Sequence, residues 1–107
     1  MILNVGGACF QTYAATLGNV SSFFSEFCGC SESSVIFIDR DPTHFRHILN
    51  FLRGSFTHPP TRLEISELMC EAAFYSLDGL HEKLAHLLRK CDSDLSFHLE
   101  KVAVKLS

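Results

Sequence analysis

At 107 residues, with twelve acidic and nine basic side chains, the chain has the size of one domain and a formal charge of −3 at pH 7, so it lacks the field of clustered Lys and Arg that gathers nucleic acid or anionic lipid. A hydrophobic fraction of 47%, with ten phenylalanines and no tryptophan, supplies one compact core and excludes general disorder. There is no apolar run of the roughly 20 residues that span a bilayer and no secretory pattern, and the five cysteines fall mostly inside apolar or helical patterns, so a soluble protein of a reducing, cytoplasmic compartment is expected, with proteins as partners.

The chain opens on two strand-like runs, Ile2 to Val5 and Ala8 to Thr12, separated by Gly6-Gly7, the chemistry of a two-residue hairpin turn with positive φ. The glycine pair lacks the further glycines and the lysine of a phosphate-binding loop, and implies no nucleotide. Ala14 to Leu17 suits one helical turn, and Ser21 or Ser22 caps a second short helix bearing Phe23, Phe24 and Phe27. Phe23 and Phe24 diverge by about 100° on a helix, so one of the two is a candidate partner-binding ring. Asn19-Val20-Ser21 has the spelling of a glycosylation sequon and, without a secretory signal, reads as a turn. Cys28 to Ser34 is a polar loop.

Val35 to Asp39 is rich in β-branched residues and reads as a short strand buried on both faces. A helix is expected directly after it, from Pro42 to Arg53: Asp41 can accept from open amides, Pro42 has a preset φ, and Gly54 suits the left-handed position past the end. Phe45, Ile48, Leu49 and Leu52 form one apolar stripe on it, with Arg46, Asn50 and Arg53 on another face. Together with Asp39, Arg40 and Asp41 these make a polar corner able to bind something. Ser55 to Pro60 is a connector, Thr61 and Glu64 a capping box for a helix reaching about Leu77, and Asp78 a cap for a last helix with a Leu80, Leu84, Leu87, Leu88 stripe. From Asp92 onward, Phe97, Leu99, Val102, Val104 and Leu106 alternate loosely with polar residues, a weak strand signal.

Six histidines and five cysteines raise the question of a metal or thiol enzyme, the reading of a different class. His44 and His47 lie three apart and Cys28 and Cys30 two apart, but neither set has a second pair at a recognised spacing, and no nucleophile or metalloprotease motif is present. No metal, no cofactor and no catalytic residue are assigned, and the cysteines are expected to act as small buried hydrophobes.

LNVGG followed by Phe10, Thr12, Thr16 and Leu17, then FIDRDPTHFRHILNFLR, then Glu71-Ala72-Ala73-Phe74-Tyr75, resembles the BTB/POZ domains of the potassium-channel tetramerisation type, and most closely the soluble proteins that contain that domain. The resemblance implies an α/β fold, a small three-stranded sheet with a cluster of about five helices, over residues 2–90, with 91–107 a tail or the start of a linker. It implies homo-oligomerisation into a closed ring of four or five copies through unlike polar faces, which by position are Asp39, Arg40, Asp41, Arg46, Asn50 and Arg53. It further implies an adaptor bringing substrates to a cullin-based ubiquitin ligase, with Phe23, Phe24 and the Cys28 to Ser34 loop as the positions for a cullin scaffold; the alternative is the cytoplasmic tetramerisation domain of a voltage-gated potassium channel subunit. The zinc site of channel members is not carried over, because Cys91 precedes Asp92 where a second cysteine would be needed.

Overall fold

The computed structural model describes residues 1–18, 21–27 and 29–90. Strands β1 (Ile2–Val5), β2 (Ala8–Gln11) and β3 (Val35–Ile38) form a sheet of order β2-β1-β3, with β1 antiparallel to β2 and parallel to β3. Helices α1 (Ala14–Leu17), α2 (Ser22–Ser25), α3 (Phe45–Leu52), α4 (Arg62–Phe74) and α5 (78–90) complete the expected architecture. The sequon, Cys28, Cys91 and the strand signal beyond Asp92 lie at least partly outside the described residues.

The hairpin turns as its glycines dictate, with Gly6 and Gly7 at φ 56° and 103° and the Gly7 amide donating to Asn4 Oδ1 at 2.8 Å. Leu3, Val5 and Ile38 point into the core, where they meet Phe45, Ile48 and Leu49 of α3, Ile65 and Leu68 of α4, and Leu80 and Leu84 of α5. At its centre lies Tyr75, with Phe23, Phe24, Phe45 and Phe74 all at ring-centroid distances of 5.0 to 5.4 Å. Phenylalanine thus does the work of a tryptophan-free core, each ring burying a large apolar area and meeting its neighbours edge-on or stacked.

Several sequence expectations are corrected. β3 is not buried on both faces: it is an edge strand, and Val35 and Phe37 are 65% and 64% exposed. A parallel strand reads as a continuous apolar run when both faces are covered, but here helices cover one face alone. α3 begins at Phe45, three residues after Pro42, because Asp41 Oδ1 accepts the Thr43 amide at 2.9 Å and folds 41–44 into a turn before the helix starts. α4 stops at Phe74, short of Leu77, in a motif where Leu77 N–H reaches Ala72 O at 2.9 Å and Ser76 N–H reaches Ala73 O at 3.1 Å. Ser76 occupies the left-handed position, φ 56°, with no glycine to announce it. α5 takes Asp78 into its first turn, where a carboxylate suits the helix dipole. Nor are the three described cysteines buried: Cys9 and Cys70 are exposed and Cys30 half-buried.

Candidate functional site

The predicted polar corner divides into parts with different partners. At the strand exit, Ile38 O accepts the amides of both Gly6 and Arg40 at 2.9 Å, which ties the hairpin turn to the end of β3. The approach is close: a Cβ on Gly6 would lie 2.3 Å from Arg40 O, so only glycine fits there. The Arg40 side chain then turns inward. Its Nε and Nη2 donate to Glu71 Oε2 of α4 at 3.0 and 2.6 Å, and its guanidinium lies 4.2 Å from the Phe74 ring centroid. A charge-assisted pair of N–H bonds plus a cation over an aromatic face fixes Arg40 as a clamp between β3 and α4. Asp41 is likewise engaged within its own turn: the Thr43 hydroxyl and amide hold its carboxyl below the ordinary carboxylate range.

Asp39, Arg46 and Arg53 are exposed and Asn50 is half-buried. Arg53 alone of these reaches across the fold, its Nη2 donating to Gln11 O at 2.7 Å, while the rest of its fork faces solvent. It borders a cleft of about 430 Å³ at the end of the sheet where β1 begins and β2 finishes. Glu32 also lines it, accepting the Ala14 amide at 2.8 Å through Oε1. Thr12 lines the same cleft and is buried, its hydroxyl without a hydrogen-bond partner among the described residues.

The two phenylalanines singled out from the sequence also part company. Ser21 Oγ accepts the Phe24 amide at 3.2 Å and starts α2 so that Phe24 is fully buried, stacked on Tyr75. Phe23 is half-buried and packs against Phe74, with centroids 5.3 Å apart. Phe74 is itself 41% exposed and continues a stripe along α4 through Cys70, Glu67 and Leu63, at spacings of four, three and four residues. Sequence reasoning assigned Leu63 no role and Phe74 only a place in the motif. The signal was available: residues 63, 67, 70 and 74 share one face of α4, opposite Ile65, Leu68 and Ala72.

The paired histidines differ. His44, just before α3, is buried with its Nε2 3.5 Å from Glu67 Oε1 of α4 and without a hydrogen-bond partner among the described residues, whereas His47 Nδ1 meets Thr57 O at 2.9 Å, holding the connector. Among the described residues no three His, Cys, Asp or Glu side chains gather as a metal site. Among them, too, no helix is long and apolar enough to cross a membrane.

A sheet of this order, flanked by helices with the Arg40 clamp at its exit, belongs to a class of protein-interaction domain. The chain matches the BTB/POZ domain family over residues 1–85, and it is a BTB/POZ domain of the potassium-channel tetramerisation type. It is 39% identical over 89 residues to the FH protein interacting protein FIP2 of Arabidopsis thaliana, covering 75% of this chain and 30% of that protein. Over 95 residues it is 36% identical to the BTB/POZ domain-containing adapter for CUL3-mediated RhoA degradation protein 1 of Danio rerio, covering 82% and 29%. Over 97 residues it is 43% identical to the SH3KBP1-binding protein 1 of Bos taurus, covering 84% and 14%. The chain thus spans less than a third of the length of each of these relatives.

Proposed function

We propose that this protein-interaction module assembles with copies of itself into a closed ring of four or five, and that it serves in the cytoplasm as a non-enzymatic adaptor recruiting substrates to a cullin-based ubiquitin ligase. The similarity to a relative named as an adapter for CUL3-mediated degradation carries the adaptor half. Self-assembly is supported by the family and by exposed charge of both signs on Asp39, Arg46 and Arg53. The cullin would meet the apolar surface of Phe23 and Phe74, with Phe24 anchoring Phe23 from beneath. Apolar surface that stands in water beside charged groups is the usual core of such an interface.

Calorimetric titration of the whole chain with the cullin named by that relative tests the adaptor half. Binding is expected at micromolar affinity or tighter, with Phe23→Asp weakening it by about a hundredfold or more, the loss of one central aromatic anchor. Absence of binding to the folded chain would overturn the cullin role.

A further inference from the structure

The two residues between β2 and α1 continue the alternation of the strand, in which successive side chains take opposite sides. Thr12 turns inward, 6% exposed, with its amide donating to Met1 O at 3.0 Å, and Tyr13 turns outward, 74% exposed. Both line the cleft of about 430 Å³ described above, a volume within the roughly 300–1,000 Å³ of small-molecule sites.

The polar groups of the cleft are unevenly matched. Glu32 commits Oε1 to the Ala14 amide at 2.8 Å and holds Oε2 3.6 Å from the Met1 ammonium, so its charge is answered within the chain. Arg53 gives Nη2 to the Gln11 carbonyl, a neutral acceptor, and forms no ion pair among the described residues. The Thr12 hydroxyl is buried without a hydrogen-bond partner among them. A guanidinium without a counter-charge and a buried hydroxyl without a partner are groups that the oxygens of a ligand satisfy, and a hydroxyl left unmet in the interior is costly to the free protein. A planar carboxylate fits the guanidinium fork through two parallel N–H bonds. One negative charge balances this cation, while Glu32 in the same cleft repels the second charge of a phosphate monoester. The exposed Tyr13 ring adds an aromatic face for an apolar body carried by the carboxylate.

We infer that this cleft binds a small monocarboxylic acid with an apolar body, its carboxylate held by Arg53 and the Thr12 hydroxyl and its body covered by Tyr13. Every residue of the site belongs to one chain, so the site stands or falls independently of self-assembly and of the adaptor role.

Phenylacetate is the probe, titrated into the nitrogen-15-labelled whole chain and followed by amide chemical shifts, with neutral phenylacetamide and dianionic phenyl phosphate as comparisons. The titration is run on the wild type and on Arg46→Glu, whose change lies on α3 outside the cleft, so that an assembled ring covering the site does not hide it. Saturating shifts centred on Thr12, Tyr13 and Ala14 are expected in at least one of the two forms, with a Kd of about 1 mM or tighter. Phenylacetamide and phenyl phosphate bind about tenfold more weakly, and Arg53→Gln weakens phenylacetate by about the same factor. Thr12→Val keeps the shape of the side chain and weakens binding about threefold, yet raises the melting temperature of the free chain, because it removes a buried hydroxyl that only the ligand satisfies. An absence of saturation in both forms, shifts scattered over the surface without a common Kd, or equal affinity for phenylacetamide would overturn the site. So would an Arg53→Gln chain, folded by circular dichroism, that binds phenylacetate as the wild type does; should that variant lose its fold, unchanged affinity in folded Thr12→Val overturns it instead.

Discussion

Arg40 and Arg53 belong to the same predicted polar corner, yet the fold uses them in opposite ways. Arg40 closes on Glu71 and Phe74 within its own chain, while Arg53 keeps one bond to the Gln11 carbonyl and presents the rest of its fork at the edge of a cleft. Charge at a corner therefore does not identify an interface. What matters is whether the partner is already supplied inside the domain. Arg40 finds Glu71 31 residues later, a separation at which a linear reading has no means of pairing them. The exposed remainder, Asp39, Arg46 and Arg53, is the part available to a neighbour.

The largest expected effect falls on the closed side. Gly6→Ala would drive a methyl into the Arg40 carbonyl and place a side chain at positive φ, costing on the order of 3 kcal/mol in a denaturant titration. Next, Arg40→Ala leaves the Glu71 carboxylate half-buried and unpaired, and should lower stability by about 2 kcal/mol. If Arg40→Ala instead left stability unchanged and abolished assembly, the contrast between the two arginines would be reversed.

Tyr75 sharpens the same contrast from within the core. Its hydroxyl is buried without a hydrogen-bond partner among the described residues, and burial, aided by nearby Glu71 and opposed by Arg40, pushes its pKa well above the ordinary 10.0. The folded state thus keeps the proton that the unfolded chain releases, so stability is intact below about pH 10 and falls as the pH rises beyond it. Tyr75→Phe should remove that alkaline loss and raise stability by about 1 kcal/mol at neutral pH, read by thermal melts at both pH values.

On the open side, Arg53→Glu should change stability by no more than about 0.5 kcal/mol while abolishing assembly, since an exposed substitution seldom unfolds a domain. The smallest effect belongs to Asp41, exposed and bonded within its own turn. Its depressed pKa contributes stability above the unfolded value near 3.8 that is lost as the pH falls through the lower folded value, and Asp41→Asn should flatten that acid limb in a pH series of melts.

How far the fold could be read from sequence depended on whether the deciding group was local. Gly6-Gly7 announced the hairpin, Ser21 and Thr61 announced their helices, and Gly54, at φ 82°, ended α3 with Ser55 N–H on Asn50 O at 2.9 Å. α4 ends in the same hydrogen-bond pattern, but Ser76 stands where glycine would, so the expected helix ran three residues too far. The edge position of β3 was not legible at all, because an apolar run says nothing about how many of its faces other elements cover. The same holds for the interaction surfaces. Phe23 and Phe24 are adjacent and identical in chemistry, and only the start of α2 at Ser22 decides that Phe24 goes under Tyr75 while Phe23 stays at the surface.

The most direct measurement is the solution mass of the whole chain by light scattering over a range of concentrations. A mass of four or five chains, held constant on dilution, is expected. A monomeric mass throughout would contradict self-assembly and leave the exposed charges of Asp39 and Arg53 without the neighbour assigned to them.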